Sequence, residues 1–253
     1  MNQPPQTFDP TRTALFLDVD GTLLEIEQHP DAVAADPDLI QALGAASHAV
    51  DHALALISGR SLEDLDRIFS PERFAAGAAH GTELRGADGA TKKRPAPSLP
   101  AGMLARLDRF VARADGLLCE RKAAGFSLHY RKAPDYEPQA RSLVKEILAE
   151  LGEDFRLIDG KMVLEIAPRA HTKGEAIRWF LSSPPFTDRR PVFVGDDVTD
   201  EDGFRYVNTL GGYSIRVGGN AGSLARYTLD NVAAVRRWMS GAFAAGICAD
   251  TDR

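Results

Sequence analysis

Ala14-Leu15-Phe16-Leu17-Asp18-Val19-Asp20-Gly21-Thr22 is the stretch from which the rest of the chain is read. Four apolar residues in a row, closed by turn-forming Asp and Gly, fit a short strand buried on both faces. Such strands belong to parallel sheets covered by helices, so the run predicts an α/β core. Ala53–Ile57, ending at Ser58-Gly59-Arg60, and Pro191–Gly195, ending at Asp196-Asp197, have the same form. Phe74–Ala79 and Tyr213–Val217 read as weaker strands. Helical spacing is seen over Pro37–Val50, after Ser61 (a cap, with Asp64 three residues on), over Gly174–Ser182 and over about Val232–Phe243.

The pattern changes after Pro95, Pro97 and Pro100. A helix is expected over 101–114, then strands Leu117–Lys122 and Phe126–Arg131 joined by Ala123-Ala124-Gly125. A second helix, Pro138–Leu151, precedes a hairpin of Phe155–Ile158 and Lys161–Ala167 turning at Asp159-Gly160. Helix, hairpin, helix, hairpin predicts an α+β layer inserted into the core. The expected division is a core over 1–95 and 169–253, with the insert at 96–168.

The 253 residues are 44% hydrophobic and 26% charged, an ordinary globular mixture. The net charge of −6 argues against a protein that grips nucleic acid through its phosphates. Cys119 and Cys248 make neither a zinc pattern nor a disulfide framework. The first residues lack the basic and apolar regions of a secretory signal, and no apolar run reaches the ~20 residues of a bilayer span. A soluble, cytoplasmic protein without membrane partners is expected.

Open parallel sheets bind ligands beyond the carboxyl ends of their strands. Asp18 and Asp20 follow the first run, Ser58 the second, and Asp196 and Asp197 the third, with Asp200 and Glu201 close behind. On parallel strands these converge on one rim. Converging carboxylates repel one another, which favours a cation there, and hard oxygen donors suit Mg²⁺ better than zinc. Lys173 adds a positive charge for an anionic ligand. Singly, these residues read as a turn, a helix cap, a solvated loop and a surface lysine. Their conjunction beyond buried strands carries the functional reading.

Asp18-Val19-Asp20-Gly21-Thr22-Leu23, Ser58-Gly59-Arg60, Lys173-Gly174 and Gly195-Asp196-Asp197-Val198-Thr199-Asp200-Glu201 resemble the four motifs of the haloacid dehalogenase-like phosphatases. The insert between the second and third resembles their C2-type cap. Pro30-Asp31-Ala32, Ala76–Glu83, Glu120-Arg121-Lys122, Leu128-His129-Tyr130-Arg131 and Gly160–Ile166 are similar to the trehalose-6-phosphate phosphatase family. The resemblance implies a doubly wound, Rossmann-like parallel-sheet core with an α+β cap. It implies Asp18 as nucleophile, forming an aspartyl-phosphate, and Asp20 as general acid and base. Mg²⁺ is expected on a side-chain oxygen of Asp18, the backbone carbonyl of Asp20, and Asp196, with Asp197 and Asp200 acting directly or through waters. Ser58, Lys173, Gly21 with its neighbouring N–H groups, Thr22 and Arg60 are expected around the phosphoryl group.

In the insert, period-2 alternation sets Glu120 and Lys122 opposite Leu117 and Cys119. It likewise sets Ser127, His129 and Arg131 opposite Phe126, Leu128 and Tyr130, and Lys161, Val163 and Glu165 opposite Met162, Leu164 and Ile166. Spacing alone fits either a sugar-binding face or the solvated face of a sheet. The family resemblance implies that Glu120, Lys122 and Glu165 meet the distal glucose, together with His129 and Arg131. Two alternatives stand at this point: a phosphatase for sucrose or hexose phosphate, and a non-catalytic Mg²⁺- or phosphate-binding module.

Overall fold

A computed structural model describes residues 3–26, 33–122, 124–219 and 222–243. Pro30-Asp31-Ala32, Ala123 and Cys248 lie outside the described residues. The chain first runs through β1 (Thr13–Leu17), α1 (Pro37–Ala49), β2 (Leu54–Ile57), α2 (Leu62–Ile68) and β3 (Ala75–Ala78). Asp36 starts α1 by accepting from Leu39 N–H, and Ser61 starts α2 by accepting from Asp64 N–H. Two antiparallel strands, β4 (Glu83–Arg85) and β5 (Thr91–Lys93), were not expected. At three residues each they are too short for alternation to register.

The insert contains α3 (Ala101–Val111), β6 (Leu118–Lys122), β7 (Gly125–His129), α4 (Glu137–Leu151), β8 (Phe155–Gly160) and β9 (Val163–Pro168). The chain then returns through α5 (Lys173–Leu181), β10 (Arg190–Gly195), α6 (Glu201–Thr209), β11 (Tyr213–Val217), β12 (Tyr227–Leu229) and α7 (Val232–Phe243). Neither α6 nor β12 was read from the sequence. Packing separates two units, one of Met1–Arg94 and Thr172–Arg253, the other of Pro95–His171.

The first unit is built on an eight-stranded sheet of order β12-β11-β10-β1-β2-β3-β4-β5. The strands from β12 through β3 in that order are parallel, while β4 and β5 are antiparallel. The chain leaves β1 toward β2 and β3, then returns to the other side of β1 at β10. This reversal puts a crevice at the carboxyl ends of β1 and β10, where doubly wound sheets bind ligands. Leu17 is level with Val194, so both strands deliver their next residues to the same place. Trp238 lies in the core of this unit, where its indole N–H donates to the Pro5 carbonyl at 2.8 Å.

The second unit is an antiparallel sheet of order β6-β7-β9-β8. One face packs Phe126, Leu128, Leu164 and Ile166 against Leu107 and Phe110 of α3 and Val144 and Ile147 of α4. Both hairpin turns differ from expectation. Lys122 pairs with Gly125, so Gly125 belongs to β7 and only residues 123 and 124 connect the strands. Gly160 pairs with Val163, which moves the second turn from Asp159-Gly160 to Lys161-Met162, with Met162 at φ 62°. The Arg141 guanidinium of α4 holds both Asp159 oxygens, at 2.6 and 3.1 Å, and so keeps Asp159 in β8. His171 Nε2 donates to the Pro95 carbonyl at 2.9 Å, joining the two ends of this unit. Among the described residues, no helix is long and apolar enough to cross a membrane.

Candidate active site

Asp18 is the first residue past β1, with its N–H on the Val194 carbonyl of β10 at 2.9 Å. The chain then turns tightly: Leu23 and Leu24 N–H donate to the Val19 carbonyl at 2.9 and 3.0 Å, and Gly21 N–H donates to Leu24 at 2.7 Å. Gly21 has φ +80°, and a Cβ there would lie 2.1 Å from Asp196 Oδ2. A glycine is therefore what lets the carboxylate of β10 approach the β1 turn. Thr22 is fully buried, and its hydroxyl reaches Asp18 Oδ2 at 3.1 Å and Asp196 Oδ1 at 3.4 Å. Of Gly21 and Thr22, both expected near the phosphoryl group, Gly21 admits the Asp196 carboxylate and Thr22 bonds the two carboxylates. Their N–H groups are spent inside the turn, Thr22 N–H donating to Val19 at 3.3 Å.

Lys173, the first residue of α5, is buried, with its ammonium 2.6 Å from Asp18 Oδ1 and 2.7 Å from Asp200 Oδ1. Thr172 caps this helix by accepting from Glu175 N–H at 3.1 Å, which fixes where the lysine begins. Asp200 is completely buried, and its Oδ2 accepts from the N–H groups of Asp196 and Asp197 at 3.0 and 2.9 Å. Asp200 thus braces the loop after β10. Asp197 is exposed at the rim.

Three carboxylates share one ammonium here. Burial raises the Asp18 carboxyl well above the usual carboxylate range; Lys173 opposes this, while Asp200 and Asp196 add to it. Asp196 is pushed up to about 6, by burial first and then by Asp200 and Asp197, against Lys173. Burial alone would lower Lys173, but Asp18 and Asp200 more than reverse that and hold it protonated. One oxygen from each of Asp18, Asp196 and Asp200 falls in a group whose members lie within 4.8 Å of one another. An all-oxygen donor set with excess negative charge fits a hard divalent cation such as Mg²⁺.

Ser58 is buried at the end of β2 and accepts from Arg60 N–H at 3.2 Å, leaving its own O–H to donate elsewhere. Arg60, expected on the substrate, forms a bidentate fork on Asp20, Nε to Oδ2 at 2.7 Å and Nη2 to Oδ1 at 2.6 Å. The Asp20 side chain remains about one-third exposed. Sequence reasoning missed Arg216 of β11, which is buried and donates to the Asp197 carbonyl at 3.1 Å and to Glu201 at 3.3 Å. Glu201 also accepts from Ser223 Oγ and Leu224 N–H, at 2.7 and 2.8 Å. An arginine inside the otherwise neutral run Tyr213–Val217 was the available signal.

In the second unit, pairing sets Glu120, Ser127 and Glu165 side by side across β6, β7 and β9. Lys122 Nζ lies 2.6 Å from Glu165 Oε2, and Ser127 Oγ donates to the same oxygen at 2.8 Å. His129 Nε2 is 3.2 Å from Glu120 Oε2. This contact is the main reason that Glu120 sits below the usual carboxylate range, against the effect of burial. Arg131 lies two residues beyond β7, and its guanidinium donates to the Lys161 carbonyl in the shifted turn at 3.3 Å. The buried Ser127 hydroxyl is a further residue that sequence reasoning did not single out.

A family model described as trehalose-phosphatase matches residues 16–233. The chain belongs to the trehalose-phosphatase family. A relative from Sinorhizobium fredii, named probable trehalose-phosphate phosphatase, is 44% identical over 205 residues, covering 81% of this chain and 77% of the relative. The Escherichia coli trehalose-6-phosphate phosphatase is 41% identical over 227 residues, covering 89% and 85%. The solved C-terminal domain of the Candida albicans trehalose-6-phosphate phosphatase superposes with a TM-score of 0.78, covering 91% of each chain. At 23% identity it speaks for the fold alone. As a trehalose-phosphatase family member the chain is a phosphatase, a hydrolase of phosphoric monoesters.

Proposed function

We propose that the chain hydrolyses trehalose 6-phosphate to trehalose and inorganic phosphate, with Mg²⁺ and through an aspartyl-phosphate on Asp18. The observation that carries this is Asp18 itself, held at the end of β1 by Lys173 and Thr22 beside Asp196. A carboxylate so fixed has little orientation left to lose before it attacks phosphorus. As the Asp18 oxygen bonds to phosphorus, the bond from phosphorus to the sugar oxygen breaks, and Asp20 delivers a proton to that oxygen. Asp20 then takes a proton from the water that attacks phosphorus, which releases phosphate and restores the Asp18 carboxylate. The Arg60 fork holds the Asp20 side chain in place.

Lys173 has two of its protons on Asp18 and Asp200 and a third for a phosphoryl oxygen, and the Ser58 hydroxyl supplies another donor. Asp18, Asp196 and the Asp20 carbonyl would hold Mg²⁺, with Asp200 fixing the loop that carries Asp196. When bound, the ion supplies positive charge against the phosphoryl oxygens in the transition state. Glu120, Lys122 and Glu165, with His129 and Arg131, are assigned to the sugar. Their paired donors and acceptors match hydroxyl groups, which both give and take hydrogen bonds.

Phosphate release from trehalose 6-phosphate, sucrose 6-phosphate, glucose 6-phosphate and p-nitrophenyl phosphate tests this reading, with Mg²⁺ and after EDTA. Fastest turnover of trehalose 6-phosphate, lost on chelation, is expected. Equal turnover of all four overturns the substrate, and release that survives chelation overturns the metal.

A further inference from the structure

We infer that His80 is a positioning residue for this hydrolysis: the turn Ala79-His80-Gly81 hooks over the loop Ser58-Gly59-Arg60 and sets where Ser58 and Arg60 stand. The inference rests on the proposed function, which gives those two residues their tasks. In that mechanism His80 has no chemical role of its own.

The hook is made of alternating contacts. Ser58 N–H donates to the Gly77 carbonyl at 2.9 Å, His80 N–H donates to the Ser58 carbonyl at 3.1 Å, and Ala79 N–H donates to the Arg60 carbonyl at 2.6 Å. One step further, Glu83 Oε2 accepts from Leu62 N–H at 3.0 Å, so the segment 79–83 runs along the whole approach to α2. The imidazole of the buried His80 lies on Gly59: a Cβ added there would be 2.7 Å from Nε2 and 2.8 Å from Cε1. The ring therefore occupies the space that any side chain at position 59 would need.

The backbone is shaped for this placement. Ala79 and His80 both have left-handed φ, 47° and 54°, which non-glycine residues adopt rarely and hold only where surrounding contacts enforce it. The two conformations turn the chain back at the end of β3, and this brings both N–H groups onto the 58–60 loop. The turn also packs against α5, the helix that begins with Lys173. One bend thus abuts both the loop that carries Ser58 and Arg60 and the helix that carries the ammonium. Arg60 in turn forks Asp20, so a displaced ring at position 80 is transmitted to the proton-transfer group.

Three full-length variants test this: His80→Gly, Gly59→Ala and the two combined. Glycine at position 80 keeps the left-handed backbone accessible while removing the ring. His80→Gly is expected to lower kcat for p-nitrophenyl phosphate at least tenfold. The Mg²⁺ concentration for half-activation should not change, because the hook sets Ser58 and Arg60 and not the three carboxylates. Gly59→Ala alone should cost more than tenfold, and the double variant should match His80→Gly within about twofold, since the collision needs both groups. Losses that multiply, or a kcat that falls only with the folded fraction in a melting curve, overturn the inference. So does a half-activation concentration that shifts together with kcat.

Calorimetric binding of inorganic phosphate in Mg²⁺ reads the same variants without turnover. Weakened binding in both single variants, with no further loss in the double, supports the hook even if the wild-type chain hydrolyses none of the esters. That pattern would sink the proposed function alone. A wild-type chain that binds no phosphate sinks both.

Discussion

At the end of β1, three carboxylates from Asp18, Asp196 and Asp200 share a single ammonium from Lys173. On the sheet of the second unit, Glu165 has Lys122 as its own partner and Glu120 has His129. The first arrangement is overcharged in a place from which water is largely removed, where Asp200 and Asp196 raise the proton affinity of Asp18 and Asp200 raises that of Asp196. The second gives each carboxylate a partner of its own and sits on a regular sheet face. Excess negative charge asks for a cation. Paired donors and acceptors can exchange one another for hydroxyl groups with little change in net charge. The first region therefore suits a cation and the second suits hydroxyl groups, for different electrostatic reasons.

The contrast is broken most severely at the nucleophile. Asp18→Asn keeps the shape and removes the anionic lone pair, so phosphate release should fall by more than about 10⁴-fold, as for other lost nucleophiles. Asp20→Asn should cost about 10²–10⁴-fold, the usual contribution of a positioned acid and base. Both losses should be the same on trehalose 6-phosphate and on p-nitrophenyl phosphate. A loss confined to the sugar substrate would reassign these residues to recognition.

Lys122→Ala and Glu165→Ala should behave in the opposite way. Each is expected to lower kcat/KM for trehalose 6-phosphate more than tenfold, about 1.4 kcal/mol, and leave p-nitrophenyl phosphate nearly unchanged. Because the two side chains are 2.6 Å apart, the double variant should lose less than the product of the single losses. Equal losses on both esters would mean that the sheet has been damaged. No loss on either would make its polar face an ordinary solvated one.

A third comparison uses protons. Asp196, pushed up to about 6, must be ionised to bind a metal. Protonation competes with the ion, so the Mg²⁺ concentration for half-activation should rise as pH falls through 6, approaching tenfold per unit below it. A half-activation constant that is flat from pH 7 to pH 5 would remove Asp196 from the metal site. The smallest effect is expected in the second unit. Burial pushes the Cys119 thiol up to about 11, so at pH 8 only about one thiol in a thousand is ionised. Iodoacetamide labelling of Cys119, followed by mass spectrometry, should be slow at pH 8 and rise about tenfold per pH unit up to 10.

The parts of the fold that were legible share one property. β1, β2 and β10 are buried on both faces, and that leaves continuous apolar runs which end abruptly at polar residues. The polar residues that follow them therefore announced the rim. β4, β5 and β12 carry three residues each and leave no period to count. The Asp159-Gly160 turn failed for a different reason. Its local chemistry favours a hairpin bend, but a guanidinium on α4 holds the aspartate in the strand.

Residue type and spacing by themselves determined that carboxylates would gather beyond parallel strands, because a strand's end is a local feature and the parallel arrangement follows from its burial. They also determined which face of the inserted sheet is polar, since alternation has a fixed period. Only the tertiary structure decided how the charges are shared. Thr22 bonds the Asp196 carboxylate, 174 positions away, because the Gly21 turn lets that carboxylate approach. Arg60 forks Asp20 across 40 positions, and Arg216 reaches back from β11 to hold the Asp197 carbonyl. Each of these partnerships depends on a distance of about 3 Å between segments remote in the chain. A side chain's charge can be read where it stands, but its partner is chosen by whatever packing brings within hydrogen-bond reach.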